Sequence, residues 1–339
     1  MDFTLNEDQV LLRETARAMF GNECPPELVR DAFYDVTSTG PEAASSFFDR
    51  HLRDWAALGD AAVVDLCLFM EEAGRVLAPG PAWVNTSLFL PLLRAIEHPS
   101  ADSVAAGEVT GTVAVCGSDG YWVLNNDPMR SFVPHANEVD VVAILSAGNQ
   151  VSCVAVAELD LQEVATLDRS RPVFQFAVPA GLDSTEIGAE QLAVVLNRGT
   201  VALAAELIGV GRWLMDTTLE YVRERVQFDR PVGSFQGLQW KLVDAALLLE
   251  RADAAVYYAA MCLDAGAPEQ DRAVHVAKAA AGTAARRWAR DGLQSLGGIG
   301  FTWEHDLHLR LRRAQASEQL LGSASWHHDR LAELIFAPD

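Results

Sequence analysis

The sequence predicts a mainly α-helical protein with a small β-domain in the middle of the chain. Helical apolar spacing fills the first hundred residues, and short β-branched runs divided by turn residues occupy residues 111 to about 179. Long, alanine-rich helical sequence with little proline follows. We therefore expect three domains in a chain of 339 residues: an N-terminal helical domain over 1–108, a β-domain over 109–188 and a C-terminal helical bundle over 189–339.

The N-terminal helices are predicted from a capping residue and from apolar periodicity. Asn6 can cap a helix that ends before Pro25 and Pro26. Its apolar positions recur at near-helical spacing and are Val10, Leu11, Ala16 and Phe20. Further amphipathic runs predict helices over 47–58, 61–76 and 87–96.

The β-domain is predicted from five short runs rich in valine and other strand-forming residues. Turn-forming segments (GSDG, NND, AGNQ and PAG) separate these runs. This pattern favours antiparallel strands and hairpins over βαβ units, and therefore a small barrel or sandwich. The runs read TVAVC, YWVL, VDVVAIL, VSCVAVAEL and VFQFAV.

The C-terminal part predicts long helices, because apolar residues recur at helical spacing and turns with proline or glycine divide the segments. These helices are expected over 192–226, 236–265 and 272–296, with one or two more over 304–336.

Composition and charge exclude several classes of function. A net charge of -21 argues against a nucleic-acid or anionic-membrane surface, because phosphate groups are bound by clustered lysine and arginine. The start of the chain, MDFTLNEDQV, has no basic region followed by an apolar run, and we expect neither a secretory signal nor a membrane span. We expect a cytoplasmic protein.

The cysteines and histidines predict no metal site. The cysteines are far apart in sequence, form no CxxC pattern and are interpreted as free thiols in a reducing compartment. The neighbouring histidines near the C-terminus lack zinc-motif spacing and are interpreted as surface or interface residues. The residues in question are Cys24, Cys67, Cys116, Cys153 and Cys262, and His305, His308, His327 and His328.

Two segments of the C-terminal part carry the functional signal. Residues 221–236 read YVRERVQFDRPVGSFQ, and residues 294–301 read QSLGGIGF. The glycines of GGIG are not a dinucleotide fingerprint, because a Rossmann glycine turn follows a strand and opens a helix. Here they end the helix predicted over 272–296, where glycine can adopt the left-handed conformation and let a cofactor approach the backbone.

Together, the two segments resemble the flavin-binding C-terminal half of acyl-CoA dehydrogenases, and the order of helices and strands extends the resemblance over nearly the whole chain. The resemblance implies FAD as cofactor and a C-terminal four-helix bundle. It implies that Arg225 pairs with the flavin pyrophosphate, that Phe228 packs against the cofactor, and that two glutamines bind its ADP moiety. The implied cofactor-binding set is Arg225, Gln227, Phe228, Gln236, Gln294, Gly297 and Gly298.

One residue of the first segment departs from the family pattern. Asp229 stands where family members usually have glycine. A carboxylate beside a pyrophosphate is repulsive unless a cation such as Arg230 offsets it.

The catalytic base implied by the resemblance is missing. In most of the family, a glutamate directly precedes a Gly-Thr or Gly-Ser pair, which here is Gly322 and Ser323, but the preceding residue is Leu321. Other members place a Glu-Arg pair near the start of the first long C-terminal helix, where this chain has Gly199 and Thr200. We therefore assign no catalytic residue to this chain.

The remaining departures lie in the parts that the resemblance assigns to the flavin ring and the acyl group. The segment VAVCGSDG replaces a longer loop, and Phe132 and Pro134 stand where an aromatic and a hydroxyl residue are expected. In the family, one subunit supplies the base and the substrate pocket while its neighbour supplies the arginine, phenylalanine and glutamine arm. This chain keeps the arm alone.

The pattern resembles the short subunit of actinobacterial heterotetrameric (α2β2) acyl-CoA dehydrogenases of steroid side-chain breakdown. That resemblance implies a homologous catalytic partner subunit and an acyl-CoA substrate, with a steroid side-chain thioester as one option. An electron-transfer flavoprotein is one option for the electron acceptor, whose identity the sequence leaves open.

Two other interpretations stay open at the sequence level. A self-sufficient dehydrogenase would need a relocated carboxylate, for which Asp244, Glu250 and Glu304 are the acids nearest to the motifs. A flavin-free interaction protein of the same fold would need neither the base nor the arm.

Overall fold

A computed structural model describes residues 4–34 and 39–336. The chain divides into two compact units. One unit comprises the described residues of 1–20, 67–78 and 203–339, and the other comprises those of 21–66 and 79–202.

The N-terminal helices start and end close to the predicted positions. Asn6 forms the expected cap, since its Oδ1 accepts a hydrogen bond from the Gln9 N–H at 2.8 Å, and Gln9 Oε1 returns one from the Asn6 N–H at 3.2 Å. The α-helices are α1 (Glu7–Glu23), α2 (Pro26–Tyr34), α3 (Thr39–His51), α4 (Val63–Val76), α5 (Ala82–Val84), α6 (Leu90–Ala95) and α7 (Ala101–Ala105).

The prediction of one helix over 47–58 is wrong. Helix α3 ends at His51, and Arg53–Gly59 forms a tighter 3₁₀ segment. Arg198 donates hydrogen bonds of 2.8 Å to the carbonyl oxygens of Leu58, in the last turn of this segment, and of Ala61, just beyond it. A long-range contact invisible to local periodicity therefore helps to hold the end of the 3₁₀ segment.

The β-domain is a sandwich of two small sheets. The first sheet has the order β1-β3-β4-β7 and the second the order β2-β6-β5. All pairs are antiparallel except β1 with β3, which run parallel, so the expectation of antiparallel pairing holds for most of the domain. The strands are β1 (Gly111–Ala114), β2 (Met129–Pro134), β3 (Val141–Ser146), β4 (Gln150–Ala155), β5 (Gln162–Val164), β6 (Val173–Ala177) and β7 (Thr185–Glu186). Val142, Ile144, Val154, Phe174 and Phe176 contribute to its core.

The run YWVL, expected to be a strand, lies in a loop. Side chains in this loop accept hydrogen bonds from nearby backbone N–H groups, which are then not available for pairing in a sheet. The Ser118 N–H donates to Asp127 Oδ2 at 3.0 Å, and the Asp127 N–H donates to Asn125 Oδ1 at 3.0 Å. Buried Arg130 then donates to the carbonyl oxygens of Asn125 and Leu145, both at 3.1 Å. These bonds hold the loop against the sheet.

The C-terminal part is helical, as predicted, with boundaries within a few residues of the expected ones. The 36-residue α8 is long and apolar enough to cross a membrane, but 72% of its most apolar window is buried inside the protein, as in a core helix. The elements are α8 (Ala189–Glu224), β8 (Val226–Gln227), β9 (Arg230–Pro231), α9 (Gln236–Asp264), α10 (Gln270–Leu296), α11 (Leu307–Gln319) and α12 (Ala324–Phe336).

Helices α9 and α10 run antiparallel and bring the two motif segments to one end of the bundle. Lys241 Nζ, near the start of α9, lies 3.3 Å from Asp291 Oδ1, near the end of α10. Gln236 precedes Lys241 by five residues and Gln294 follows Asp291 by three, so each lies within about one and a half helical turns of this ion pair. Tertiary packing therefore joins segments that are some sixty residues apart in sequence.

Candidate functional site

The first motif segment contains a β-hairpin with a two-residue turn, which lies between α8 and α9. Strands β8 and β9 pair Val226 with Pro231 and Gln227 with Arg230, and the turn residues Phe228 and Asp229 have φ angles of 54° and 64°. Two consecutive left-handed residues define the type I′ turn that suits tight hairpins. Glycine is favoured there, and aspartate is among the residues that tolerate it. The departure at Asp229 is therefore compatible with the backbone.

The hairpin presents an aromatic side chain to solvent. The Phe228 side chain is 86% exposed, and its ring meets that of Phe235 edge-on with centroids 6.1 Å apart. Arg230 Cζ lies 4.0 Å from the Phe235 ring, so this guanidinium is engaged in a cation–π contact. Within the described residues, Arg230 forms no ion pair with Asp229, and the expected offset of the aspartate charge is not found.

Polar side chains of the motif segments remain available for a ligand. Arg225, Gln236 and Gln294 are all exposed, and their side chains make no hydrogen bond or ion pair within residues 4–34 and 39–336. The first turn of α9 adds free backbone N–H groups, since the residue before it, Phe235, provides no side-chain cap. Helix N-termini of this kind attract anions. Gln227 differs, because its Nε2 donates to the Val226 carbonyl oxygen at 2.8 Å.

The glycines of the second segment leave an open surface at the end of α10. Gly297 has φ 62° and ψ −136°, a conformation that side chains strongly disfavour. A Cβ built on Gly297 or Gly298 would meet nothing within 4 Å. Gly300, in contrast, is buried, and its Cβ would lie 3.0 Å from the Leu293 carbonyl oxygen. Gly297 and Gly298 therefore expose backbone to a ligand, whereas Gly300 serves packing.

The residues present fit a dinucleotide with a diphosphate group. A guanidinium offers a planar fork of donors to phosphate oxygens, amides can bond an adenosine, and an aromatic ring can pack on a flat group. Arg225, Gln236, Gln294 and the glycine surface supply this set at one end of the α9–α10 pair, and we call them, with Phe228, the arm.

An apolar cavity of about 500 Å³ adjoins the hairpin. Trp288 lines this cavity, and its role was not predicted from the sequence. Its indole is fully buried, and its Nε1 has no hydrogen-bond partner in the described part of the chain. Lining residues are Leu219, Val222, Arg223, Pro231, Gly233, Ser234, Gln239, Leu242, Val243, Ala246 and Trp288.

The first expected base position holds a buried apolar residue in a tight turn. Leu321 is buried and has φ 56°, and Gly322 follows with φ 101°. Lys278 Nζ holds this turn by donating to the carbonyl oxygens of Glu318 at 2.9 Å and Gly322 at 3.0 Å. The leucine side chain cannot accept a proton, although the turn that carries it is well anchored.

The second expected base position is closely packed. A Cβ on Gly199 would lie 2.3 Å from Leu88 Cδ2, and the Gly199 carbonyl oxygen accepts a hydrogen bond from Trp83 Nε1 at 3.1 Å. The next residue, Thr200, is buried and donates its hydroxyl to the Leu196 carbonyl oxygen at 2.7 Å. A glutamate at position 199 would have to displace the buried Leu88 side chain.

The three acids considered as relocated bases are all solvent-exposed. Glu250 forms an ion pair with Arg212, and the exposed side chains of Asp244 and Glu304 do not lie in a desolvated pocket. A more buried carboxylate in the same unit, Glu206, is paired with buried Arg313 at 2.6 Å. A charge neutralised in this way is a structural pair rather than a proton acceptor.

A buried basic cluster lies beneath the turn at Leu321 and corrects one sequence interpretation. His327, expected at the surface or an interface, is buried, and its Nδ1 lies 2.8 Å from His275 Nδ1. Burial and the nearby Lys278 lower the pKa of His327 to about 2. Burial lowers the pKa of Lys278 to about 7, since Glu318 offsets it only in part. A single buried lysine or histidine has no sequence signal of its own.

Comparison with known proteins finds acyl-CoA dehydrogenases both for the C-terminal half and for nearly the whole chain. Residues 187–336 match the family model described as acyl-CoA dehydrogenase, C-terminal domain. The chain is 32% identical over 337 residues to the acyl-CoA dehydrogenase IpdE2 of Mycobacterium tuberculosis, and the match covers 94% of each protein.

Two solved structures show the same fold. A chain of the ChsE4-ChsE5 complex from Mycobacterium tuberculosis superposes with a TM-score of 0.86 at 22% identity and full coverage of both chains. A chain of the Tcur3481-Tcur3483 steroid ACAD variant superposes with a TM-score of 0.83 at 23% identity, with 98% of each chain covered.

Proposed function

The chain belongs to the acyl-CoA dehydrogenase family, and from this premise we propose that it is the flavin-completing subunit of a heteromeric acyl-CoA dehydrogenase. It supplies the arm to an FAD held mainly by a homologous catalytic subunit, in an α2β2 assembly. The α,β-desaturation of the acyl-CoA then takes place on the partner, which contributes the base.

The observation that carries this proposal is the contrast between the arm and the two base positions. Among the residues that the structure describes, Arg225, Gln236 and Gln294 have unpaired donors on an open surface, whereas Leu321 is buried and Gly199 lies against Leu88. A self-sufficient enzyme would need a carboxylate in a desolvated pocket. A protein that had abandoned flavin would have no reason to keep an unpaired arginine beside an uncapped helix start.

Each arm residue has one role in the proposal. Arg225 and the N-terminus of α9 hold the pyrophosphate, Gln236 and Gln294 orient the ADP moiety, and Gly297 and Gly298 admit it to the backbone. Gln227 belongs to the same segment and reaches a ligand only if its bond to Val226 opens. Bound FAD supplies the hydride acceptor.

The names of the similar structures support a partner and a substrate class. ChsE4-ChsE5 is a complex of two differently named chains, and Tcur3481-Tcur3483 is described as a steroid ACAD. We propose by extension that the acyl-CoA here is a steroid side-chain thioester and that an electron-transfer flavoprotein takes the electrons.

Co-expression tests the proposal. The full chain is purified alone and with each acyl-CoA dehydrogenase of the same genome that has glutamate at the position of Leu321. We expect a stable complex with flavin absorbance and enoyl-CoA formation in one pair, and a colourless, inactive chain alone. A chain that is yellow alone and whose flavin is reduced by an acyl-CoA would contradict the proposal.

Arg225→Ala tests the arm within that complex. We expect most of the flavin to be lost while the two chains still co-purify, because the pyrophosphate loses its fork of donors. Arg272→Ala is the matched control, since Arg272 is an exposed arginine at the other end of α10 from the arm. Equal flavin content in both variants would refute arm donation.

A further inference from the structure

The apolar cavity beside the hairpin has the size of a small-molecule site. Its volume of about 500 Å³ falls within the range of such sites, which is roughly 300–1,000 Å³. Helices α8, α9 and α10 and the 3₁₀ turn Val232–Ser234 supply its lining, and all of these residues belong to one compact unit. The residues of the arm that hold the pyrophosphate and the ADP moiety in the proposed function are not among the lining residues.

The most buried residue of the lining carries a polar group without a partner. Trp288 has an exposed fraction of 0%, and its Nε1 makes no hydrogen bond within the described residues. Buried indole N–H groups usually donate a hydrogen bond, because a buried donor without an acceptor lowers stability. An unpaired indole in the wall of a cavity therefore indicates a ligand that brings an acceptor.

A water molecule is a poor substitute for that acceptor. Buried waters typically make about three hydrogen bonds to polar groups of the protein. The other buried residues of the lining, Val222 and Leu242, are apolar. A water bonded to Trp288 Nε1 would therefore lack further side-chain partners in the buried part of the cavity, whereas a ligand with one acceptor and an apolar body would satisfy both the indole and its surroundings.

The exposed part of the lining is polar and contains a cation. Arg223, Ser234 and Gln239 are exposed, and no acidic residue is among the lining residues. The Ser234 hydroxyl donates to the Pro231 carbonyl oxygen at 2.7 Å. The side chains of Arg223 and Gln239 make no hydrogen bond or ion pair within residues 4–34 and 39–336. A free guanidinium at the opening of an apolar cavity suits a carboxylate.

We infer that this cavity binds an aliphatic keto acid whose ketone lies at the end of the chain opposite the carboxylate. The ketone oxygen accepts a hydrogen bond from Trp288 Nε1, and the carboxylate pairs with Arg223 at the opening. The hydrocarbon chain packs between these ends against aliphatic side chains, which are Leu219, Val222, Leu242, Val243 and Ala246. The inference does not rest on the proposed function.

Three matched ligands test the inference on the full chain, alone and in the co-expressed complex. They are decanoate, the ten-carbon keto acid with its ketone next to the terminal methyl group, and the methyl ketone of the same length without a carboxylate. Calorimetry should show the keto acid binding about fivefold or more tightly than either of the others, because each of these lacks one polar contact. If all three bind equally, or the keto acid binds to neither preparation, the inference is wrong.

Two substitutions assign the polar contacts. Trp288→Phe keeps an aromatic ring and removes the N–H, so the keto acid should bind no more tightly than decanoate, whose own affinity should change by less than about twofold. Arg223→Ala should remove the advantage of the keto acid over the methyl ketone. A variant that keeps the advantage it is expected to lose contradicts the assigned contact.

A third substitution tests the location without removing a polar group. Ala246→Phe fills the cavity from α9 and should abolish binding of all three ligands. Ala254→Phe is the matched control, since Ala254 is an exposed alanine of the same helix that does not line the cavity. If both variants bind the keto acid equally well, the ligand lies elsewhere and the inference is wrong.

Discussion

Lys278 Nζ lies 3.0 Å from the carbonyl oxygen of Gly322, so a buried lysine of α10 holds the turn between α11 and α12. Leu321, in the same turn, is the residue at which the sequence resemblance leads us to expect a glutamate. The shape of this turn depends on the α10 side chain. It is therefore supported with leucine at this position.

Lys278→Met should destabilise the protein by about 2–4 kcal/mol, because two buried carbonyl oxygens lose their donor. It should also remove the pH dependence that Lys278 gives to the free energy of unfolding. The pKa of Lys278 falls from 10.5 to about 7 on folding, so between these values the unfolded chain binds the additional proton and stability rises with pH. Urea unfolding from pH 7 to 9 measures both effects. If the free energy of unfolding rises with pH as steeply in the variant as in the wild type, Lys278 is not the source of this pH dependence.

The buried histidines should make the protein sensitive to acid. Burial lowers the pKa of His327 to about 2, so below its unfolded value of 6.5 only the unfolded chain is protonated and stability falls as pH falls. The expected loss is about 1.4 kcal/mol per pH unit for each such histidine. His327→Gln should reduce the slope between pH 6.5 and 5. His328→Gln, at an exposed neighbour, should leave it intact.

Two glycine substitutions should behave in opposite ways. Gly199→Ala should cost about 1–3 kcal/mol of stability, because its Cβ would overlap Leu88 at 2.3 Å in a packed region. The Cβ added by Gly298→Ala would meet nothing within 4 Å, so this substitution should leave the unfolding midpoint unchanged. In the co-expressed complex, however, Gly298→Ala should lower flavin retention. Denaturant unfolding and flavin content separate the two effects.

Asp229→Asn should increase the flavin affinity of the complex several-fold, because it removes a carboxylate from the pyrophosphate region while asparagine still suits φ 64°. Asp229→Gly should give the same increase. Flavin release during dialysis is the measurement. Equal release from the wild type and Asp229→Asn would show that the aspartate charge does not reach the cofactor.

Several local features could be predicted because their causes are local. The cap at Asn6, the C-terminal helix boundaries and the glycine-ended α10 follow from side-chain chemistry and periodicity over a few residues. The run YWVL was assigned wrongly, because Asn125 and Asp127 compete for the backbone and Arg130 anchors the loop from a neighbouring strand. The short β5 and β7 were missed, since their pairing depends on other strands.

The sequence by itself determined the fold class, the two motif segments and the identity of the residues at the base positions. Only the tertiary structure decided that Arg225 and Gln294 have no partner in the described part of the chain, that Gly199 lies against Leu88, and that Lys278 supports the turn at Leu321. Motifs and periodicity depend on residues that are close together in the sequence. Burial, free donors and available space depend on contacts between residues far apart in the chain, and these exist only once the helices have packed.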